Sequence, residues 1–234
     1  KSKLPVGHYL FPSESVSMGH PDKVSDQVSD AILDSLIAVD PQARVACETM
    51  CTSGLVIVGG EITVHNDEAI KRLNDVEDTV RDCLKKIGYT GDLAMRFDAD
   101  TCGVIRTIHS QSEDISQGVS EGAGMHKEQG AGDQGLMFGF ACKETPDLMP
   151  VPIDLSHKLV DKHAKVREQG KFKGIRPDAK SQVTVQYDAK HKPVQITTVV
   201  LSTQHTPEWN GSKKQKELKK EIVEHVIKPV LGEH

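Results

Sequence analysis

The chain has 234 residues and a formal net charge of −5, long enough to bury a core without disulfide staples and with no basic excess to make nucleic acid its main partner. Its five cysteines (Cys47, Cys51, Cys83, Cys102 and Cys142) are an odd number without a C-x-x-C pair. That excludes a disulfide framework or a zinc ribbon and points to reduced thiols in the cytoplasm. No apolar run approaches the ~20 residues that span a bilayer, so no membrane partner is expected. The N-terminus shows neither an h-region nor a cleavage site. The sequence starts at Lys1 without an initiator Met, so we expect the gene product to be longer.

In chain order, His8 to Pro12 is a short apolar strand. Pro21 suits the first turn of a helix, where its missing N–H costs nothing, and Asp22 is favourable against the helix dipole. The helix runs to Val39 with Val24, Val28, Ala31, Ile32, Ser35 and Leu36 as its buried stripe. Ala43 to Cys51 and Leu55 to His65 form a hairpin over Thr52-Ser53-Gly54. Asn66 to Ile87 is one helix, capped by Asn66 and stopped by Gly88. Met95 to His109 is again a strand, so the first block reads β-α-β-β-α-β.

Residues 111–129 have no periodicity and carry Gly118, Gly122 and Gly124. A loop of that length is a lid, a binding loop or a disordered segment. Leu136 to Cys142 is a strand, and Ile153 to Gln169 a helix ended by Gly170. Ser181 to Tyr187 and Val194 to His205 form a second hairpin, and Gly211 to Ile227 is a Lys-rich amphipathic helix. The second block therefore reads β-α-β-β-α, the same order without its closing strand. Hairpins in both blocks imply antiparallel or mixed sheets and an α+β fold built of tandem repeats. Leu55 to Gly60 is nearly continuous in apolar and Gly residues, the mark of a strand covered on both faces. Helices cover one face of such a two-layer unit, so we expect the other to meet a partner sheet in a dimer.

Gly130-x-Gly132-x-x-Gly135 matches the bare dinucleotide fingerprint. That motif needs a strand before it and a helix after it. Here a polar loop precedes and an apolar, strand-like run follows, which removes the reading. His20-Pro21-Asp22-Lys23 sets an imidazole, a carboxylate and an ammonium at a helix start. Asp22 is a hard donor of the type Mg²⁺ takes beside substrate phosphates, and His20 and Lys23 suit charge developing on a phosphate leaving group; helix capping is the plainer alternative. Glu48 and Glu61 stand in apolar strands, where a carboxylate needs a cationic partner unless it faces solvent. Arg176-Pro177-Asp178-Ala179-Lys180 carries opposite charges ahead of a strand and is open to a simple ion pair.

Together these stretches carry a family likeness. Ser13-Glu14-Ser15 with Gly19-His20-Pro21-Asp22-Lys23 and Asp26-Gln27…Ser29-Asp30-Ala31 resembles the N-terminal signature of the S-adenosylmethionine synthetases, or methionine adenosyltransferases. Gly130-Ala131-Gly132-Asp133-Gln134-Gly135 resembles the family's glycine-rich hexapeptide, and residues 176–184 and 200–205 are similar to two further stretches. The resemblance covers essentially the whole chain in order. It implies transfer of the adenosyl group of ATP to the sulfur of L-methionine, then hydrolysis of the tripolyphosphate to phosphate and diphosphate, with Mg²⁺ and K⁺. It also implies three similar α+β domains per subunit, here residues 8–110 and 130–234 around a mobile lid at 111–129, with the third domain absent from this sequence. Active sites would form between subunits of a homodimer or a dimer of dimers in the cytoplasm. Carried over residue by residue, His20 and Lys180 are catalytic, and His20, Asp178 and Lys180 bind ATP. Glu61, Gln111 and Asp133 bind methionine, Asp22 holds Mg²⁺ and Glu48 holds K⁺. Met18 departs from the family's usual Glu and Ser25 from a frequent Cys. An inert binding or regulatory subunit of the same fold is the alternative.

Overall fold

The computed structural model describes residues 4–91, 96–110, 135–171 and 173–232. They belong to two compact units that cut across chain order. A terminal unit comprises Lys1–Val24, Lys86–Met95 and Ala141–His234; an inner unit comprises Ser25–Lys85 and Arg96–Phe140.

The terminal unit is built on a sheet of β1 (Tyr9–Val16), β5 (Ile175–Tyr187) and β6 (Pro193–His205), in the order β1-β5-β6 and antiparallel throughout. β1 runs from Tyr9 opposite Tyr187 to Val16 opposite Lys180. The N-terminal strand thus completes the sheet of the second hairpin instead of the first. Helix α4 (Val151–Glu168) covers one face and brings Leu155, Leu159 and Val166 against Val183, Val185 and Tyr187. After β6 come a 3₁₀ turn (Pro207–Trp209), α5 (Ser212–Ile222), a π-helical turn (Val223–Ile227) and α6 (Lys228–Leu231). They close the same core with Leu218, Ile222 and Val226. Full burial of each large apolar side chain is worth roughly 1.5–3 kcal/mol.

The inner unit holds β2 (Arg44–Thr52), β3 (Leu55–Thr63) and β4 (Gly103–His109). β2 and β3 form the expected antiparallel hairpin, and β4 lies parallel to β3. Helix α1 (Pro21–Ile37) buries Val28, Ile32 and Leu36, and its Ser29 shares a 2.8 Å hydrogen bond with Thr49 of β2. The same side of the sheet buries Val56, Val58 and Ile62. Asp40 ties the end of this region together, accepting hydrogen bonds from the backbone N–H groups of Gln42 (3.2 Å) and His65 (2.7 Å).

Two further expectations are corrected. The single helix expected from Asn66 to Ile87 is two helices, α2 (Asp67–Asn74) and α3 (Val76–Ile87), broken at Asp75. Asn66 caps α2 by accepting from Ala69 N–H at 2.9 Å. Asn74-Asp75 is the weak point, because Asn and Asp compete for backbone hydrogen bonds. Charge marks the break too: Lys71 and Arg72 end one helix and Glu77 and Asp78 open the next, each matched to its dipole. The strand expected at Leu136 to Cys142 joins no ladder among the described residues. Leu136, Met137, Phe138 and Phe140 stand 78%, 96%, 94% and 78% exposed. An apolar run forms a strand only when a free sheet edge receives it.

Candidate active site

The site in the terminal unit is set by one hydroxyl. Ser17 follows β1 and is buried. It donates its Oγ–H to the carbonyl of Pro177 (2.7 Å) and accepts the N–H of Ala179 on the same oxygen (2.7 Å). Its own N–H donates to the carbonyl of Ala179 at 2.8 Å. The β5–β6 register shifts between Ile175 and Ala179, so Pro177 and Asp178 lie where β5 is free of the regular ladder. Pro has no N–H to donate there. Gly19 makes the approach possible: a Cβ at this position would lie 2.3 Å from the Pro177 carbonyl carbon. Tyr89 donates its hydroxyl to the Gly19 carbonyl. A strand, a turn and a helix start are thereby clamped to the start of β5.

His20 and Asp22 emerge from this clamp. His20 N–H bonds to the Ser17 carbonyl (3.0 Å), and the His20 Nδ1 accepts the Asp22 N–H at 3.2 Å. The Asp22 side chain is 84% exposed, with its carboxylate 3.8 Å from His20 Nδ1. Asp178 is half-buried. Burial pushes its carboxyl above the ordinary range, and the charge interaction with nearby His20 pulls the other way. Two positions on, Lys180 projects to the open side and pairs with Glu14 at 2.9 Å. The four motif residues of this unit, His20, Asp22, Asp178 and Lys180, therefore flank one clamped junction.

Arg167, from the end of α4, underlies the turn. It donates to the Ile87 carbonyl (2.9 Å) and to the Met18 sulfur (3.4 Å), and burial lowers its pKa. The Met18 departure thus places a thioether against this guanidinium. Ser17, Glu14 and Arg167 were missed as site-building residues. Only Glu14 stood within a quoted motif, and an isolated Ser or Arg in a sequence carries no signal of what it will bridge.

Glu48 and Glu61 lie in the inner unit. The β2–β3–β4 register puts Glu48 opposite Gly59 and Thr107 in one row, and Ala46, Glu61 and His109 in the next. Both carboxylates therefore stand on the same sheet face, the one opposite α1. The next row towards the hairpin turn is apolar: Met50, Ile57 and Ile105, with Met50 54% and Ile105 49% exposed. Gly60 adopts φ 134°, and a Cβ there would sit 2.1 Å from the Ala46 carbonyl oxygen, so only glycine fits. Gln111 and Asp133 lie outside the described residues. Among the described residues no three His, Cys, Asp or Glu side chains are grouped to hold a metal ion. No helix among them is long and apolar enough to cross a membrane.

Residues 8–113 match the family model described as S-adenosylmethionine synthetase, N-terminal domain, and residues 128–234 match its central domain. The chain is similar to the S-adenosylmethionine synthase of Syntrophobacter fumaroxidans, at 50% identity over 228 residues covering 97% of this chain and 57% of the relative. It is likewise similar to that of Desulfosudis oleivorans, at 52% identity over 223 residues covering 95% of this chain and 54% of the relative. The chain spans about half the length of the curated relatives it matches.

Proposed function

The chain belongs to the S-adenosylmethionine synthetase family, and from that premise we propose that the protein carrying it makes S-adenosylmethionine from ATP and L-methionine and hydrolyses the released tripolyphosphate. The observation that carries the reading at residue level is the Ser17 clamp. It fixes the helix start bearing His20 and Asp22 beside the β5 segment bearing Asp178 and Lys180. On this reading, residues 8–110 and 130–234 are successive domains; the lid expected at 111–129 lies outside the described residues.

The chemistry asks little proton transfer of the protein. A neutral thioether sulfur displaces tripolyphosphate at C5′ of ATP, so no general base is needed. Rate enhancement comes from alignment and from stabilising the departing negative charge. Lys180 exchanges its Glu14 partner for a phosphate oxygen, and His20 donates at the bond that breaks. Asp178, kept at the upper edge of carboxylate behaviour by burial, holds the nucleoside end. Glu61, Gln111 and Asp133 hold the methionine.

Asp22 fits Mg²⁺ as a single exposed hard carboxylate, the donor Mg²⁺ takes when phosphates and water complete its shell. Glu48 fits K⁺ in the same way. When bound, these ions neutralise phosphate charge and support the sheet carboxylates. The apolar row Met50–Ile57–Ile105 supports a second copy as the partner of the inner sheet, giving a homodimer or a dimer of dimers, and the cytoplasm as the compartment follows from the thiols and substrates.

The test is an assay of the full-length protein with ATP, L-methionine, Mg²⁺ and K⁺. S-adenosylmethionine, phosphate and diphosphate are the expected products. Absence of S-adenosylmethionine with both substrates bound would replace this reading by an inert binding subunit.

A further inference from the structure

The Gly19–His20 peptide is held at both of its polar ends. Its N–H, which belongs to His20, donates to the Ser17 carbonyl at 3.0 Å. Its carbonyl, which belongs to Gly19, accepts the hydroxyl of Tyr89 from 70 residues away. Gly19 is buried, and Pro177 packs so closely that a Cβ on Gly19 would lie 2.3 Å from the Pro177 carbonyl carbon. A peptide unit is planar. Tying both ends therefore fixes its tilt, and with it the direction in which the His20 Cα–Cβ bond leaves the chain.

Tyr89 is itself braced. It is 5% exposed and follows Gly88, which takes φ 106°. A Cβ on Gly88 would lie 2.2 Å from Arg167 Nη1. Glycine there ends α3 and lets the guanidinium reach the Ile87 carbonyl at 2.9 Å. The Arg167 side chain is 14% exposed and donates to the Met18 sulfur as well, at 3.4 Å. All of these groups belong to the terminal unit. The brace thus runs from α4 through residues 87–89 to the peptide that carries His20. A phenylalanine would fill the same volume as Tyr89, so what the hydroxyl supplies is direction, through its bond to the Gly19 carbonyl.

We infer that Tyr89 is a positioning residue for adenosyl transfer, acting through the Gly19–His20 peptide to aim the His20 ring at the departing phosphate oxygen; this rests on the adenosyl-transfer reading. A donor stabilises developing charge only if it is aimed before the charge appears. A misplacement of about 1 Å caused by a residue remote from the chemistry costs up to ~100-fold in rate. Asp178 and Lys180 stand on β5 and keep their hold on ATP whatever the tilt of this peptide. The loss of the hydroxyl therefore falls on kcat and spares KM.

The full-length protein is assayed with ATP, L-methionine, Mg²⁺ and K⁺. Tyr89→Phe should lower kcat about tenfold or more and leave each KM within about threefold of wild type. The same substitution is then made on a His20→Asn background, where it should cost less than about twofold, because the ring it aims is gone. Equal losses on the two backgrounds overturn the proposal, since Tyr89 then serves the fold at large. A wild-type kcat in Tyr89→Phe overturns it too, as does a loss confined to KM. Where His20→Asn turns over too slowly to measure, hydrolysis of added tripolyphosphate replaces the cycle. That reaction breaks no C5′ bond, so Tyr89→Phe should keep it while losing adenosyl transfer, and a parallel loss of both overturns the proposal. If Tyr89→Phe does not fold, Arg167→Lys takes its place in the same measurements, with the same outcomes. A wild-type protein that binds both substrates and makes no S-adenosylmethionine removes the adenosyl-transfer reading and this proposal together. Wild-type turnover with an indifferent Tyr89→Phe removes the proposal alone.

Discussion

Ser17 and Lys180 show how differently two residues of one site are held. Ser17 is buried and serves both a carbonyl and an N–H of β5. Ser17→Ala leaves the buried Ala179 N–H and Pro177 carbonyl without that partner, and should destabilise by about 2 kcal/mol or more in denaturant titration. Lys180 is half-exposed with a surface partner, so Lys180→Met should leave the melting temperature near wild type while turnover of the full-length enzyme falls at least tenfold. Near-normal turnover would overturn the phosphate role proposed for it. His163 is fully buried, hydrogen-bonds Thr203 through Nε2 (2.7 Å), and has no partner for Nδ1 among the described residues. Burial, with the Arg167 charge adding to it, brings its pKa down from 6.5 to about 4. The folded state therefore resists a proton that the unfolded state accepts below about 6.5, and stability is lost as pH falls from there towards 4. The loss from this group approaches roughly 3 kcal/mol. His163→Gln should flatten that part of the stability–pH curve; an unchanged slope would assign the pH dependence elsewhere.

At the scale of elements, the Gly59-Gly60 pair within an apolar strand marks a geometric need. Gly60 at φ 134° brings the β3 backbone against the Ala46 carbonyl on β2. Gly60→Ala forces a Cβ into that carbonyl and a backbone conformation that L-residues avoid, at about 1–3 kcal/mol. It should also shift Glu48 and Glu61, which flank the distorted rung in the register. Loss of stability with chemical-shift changes confined to β2 and β3 would confirm it, and an unperturbed Gly60→Ala protein would refute it. The α2–α3 break was legible in hindsight from the Lys71-Arg72 to Glu77-Asp78 charge reversal. It was obscured because the apolar spacing of the two helices continues across Asp75 without a phase change large enough to notice.

For the whole molecule, the inner sheet has one helix-covered face and one face with an apolar row beside two carboxylates. Ile105 is half-exposed there, so Ile105→Lys should fold normally. Placed opposite its own copy in a twofold interface, the new charge should shift the assembly towards monomer in analytical ultracentrifugation. An unchanged mass would move the interface to another surface.

The sequence by itself determined most of the local vocabulary: both hairpins, the Asn66 cap, the α+β class and the motif residues. These depend on nearest neighbours, on period and on capping chemistry, all local in the chain. The family likeness rested on the same local stretches. Tertiary structure decided which strand joins which sheet. β1 left the first hairpin for the second, and Leu136 to Cys142 joined no ladder among the described residues, although both are short apolar runs before a helix. A strand's partner is set by where a free edge lies once the other elements have packed, and no periodicity encodes that. The Ser17 clamp has the same origin: 160 residues separate Ser17 from Pro177, and only the pairing of β1 with β5 brings His20 to Asp178.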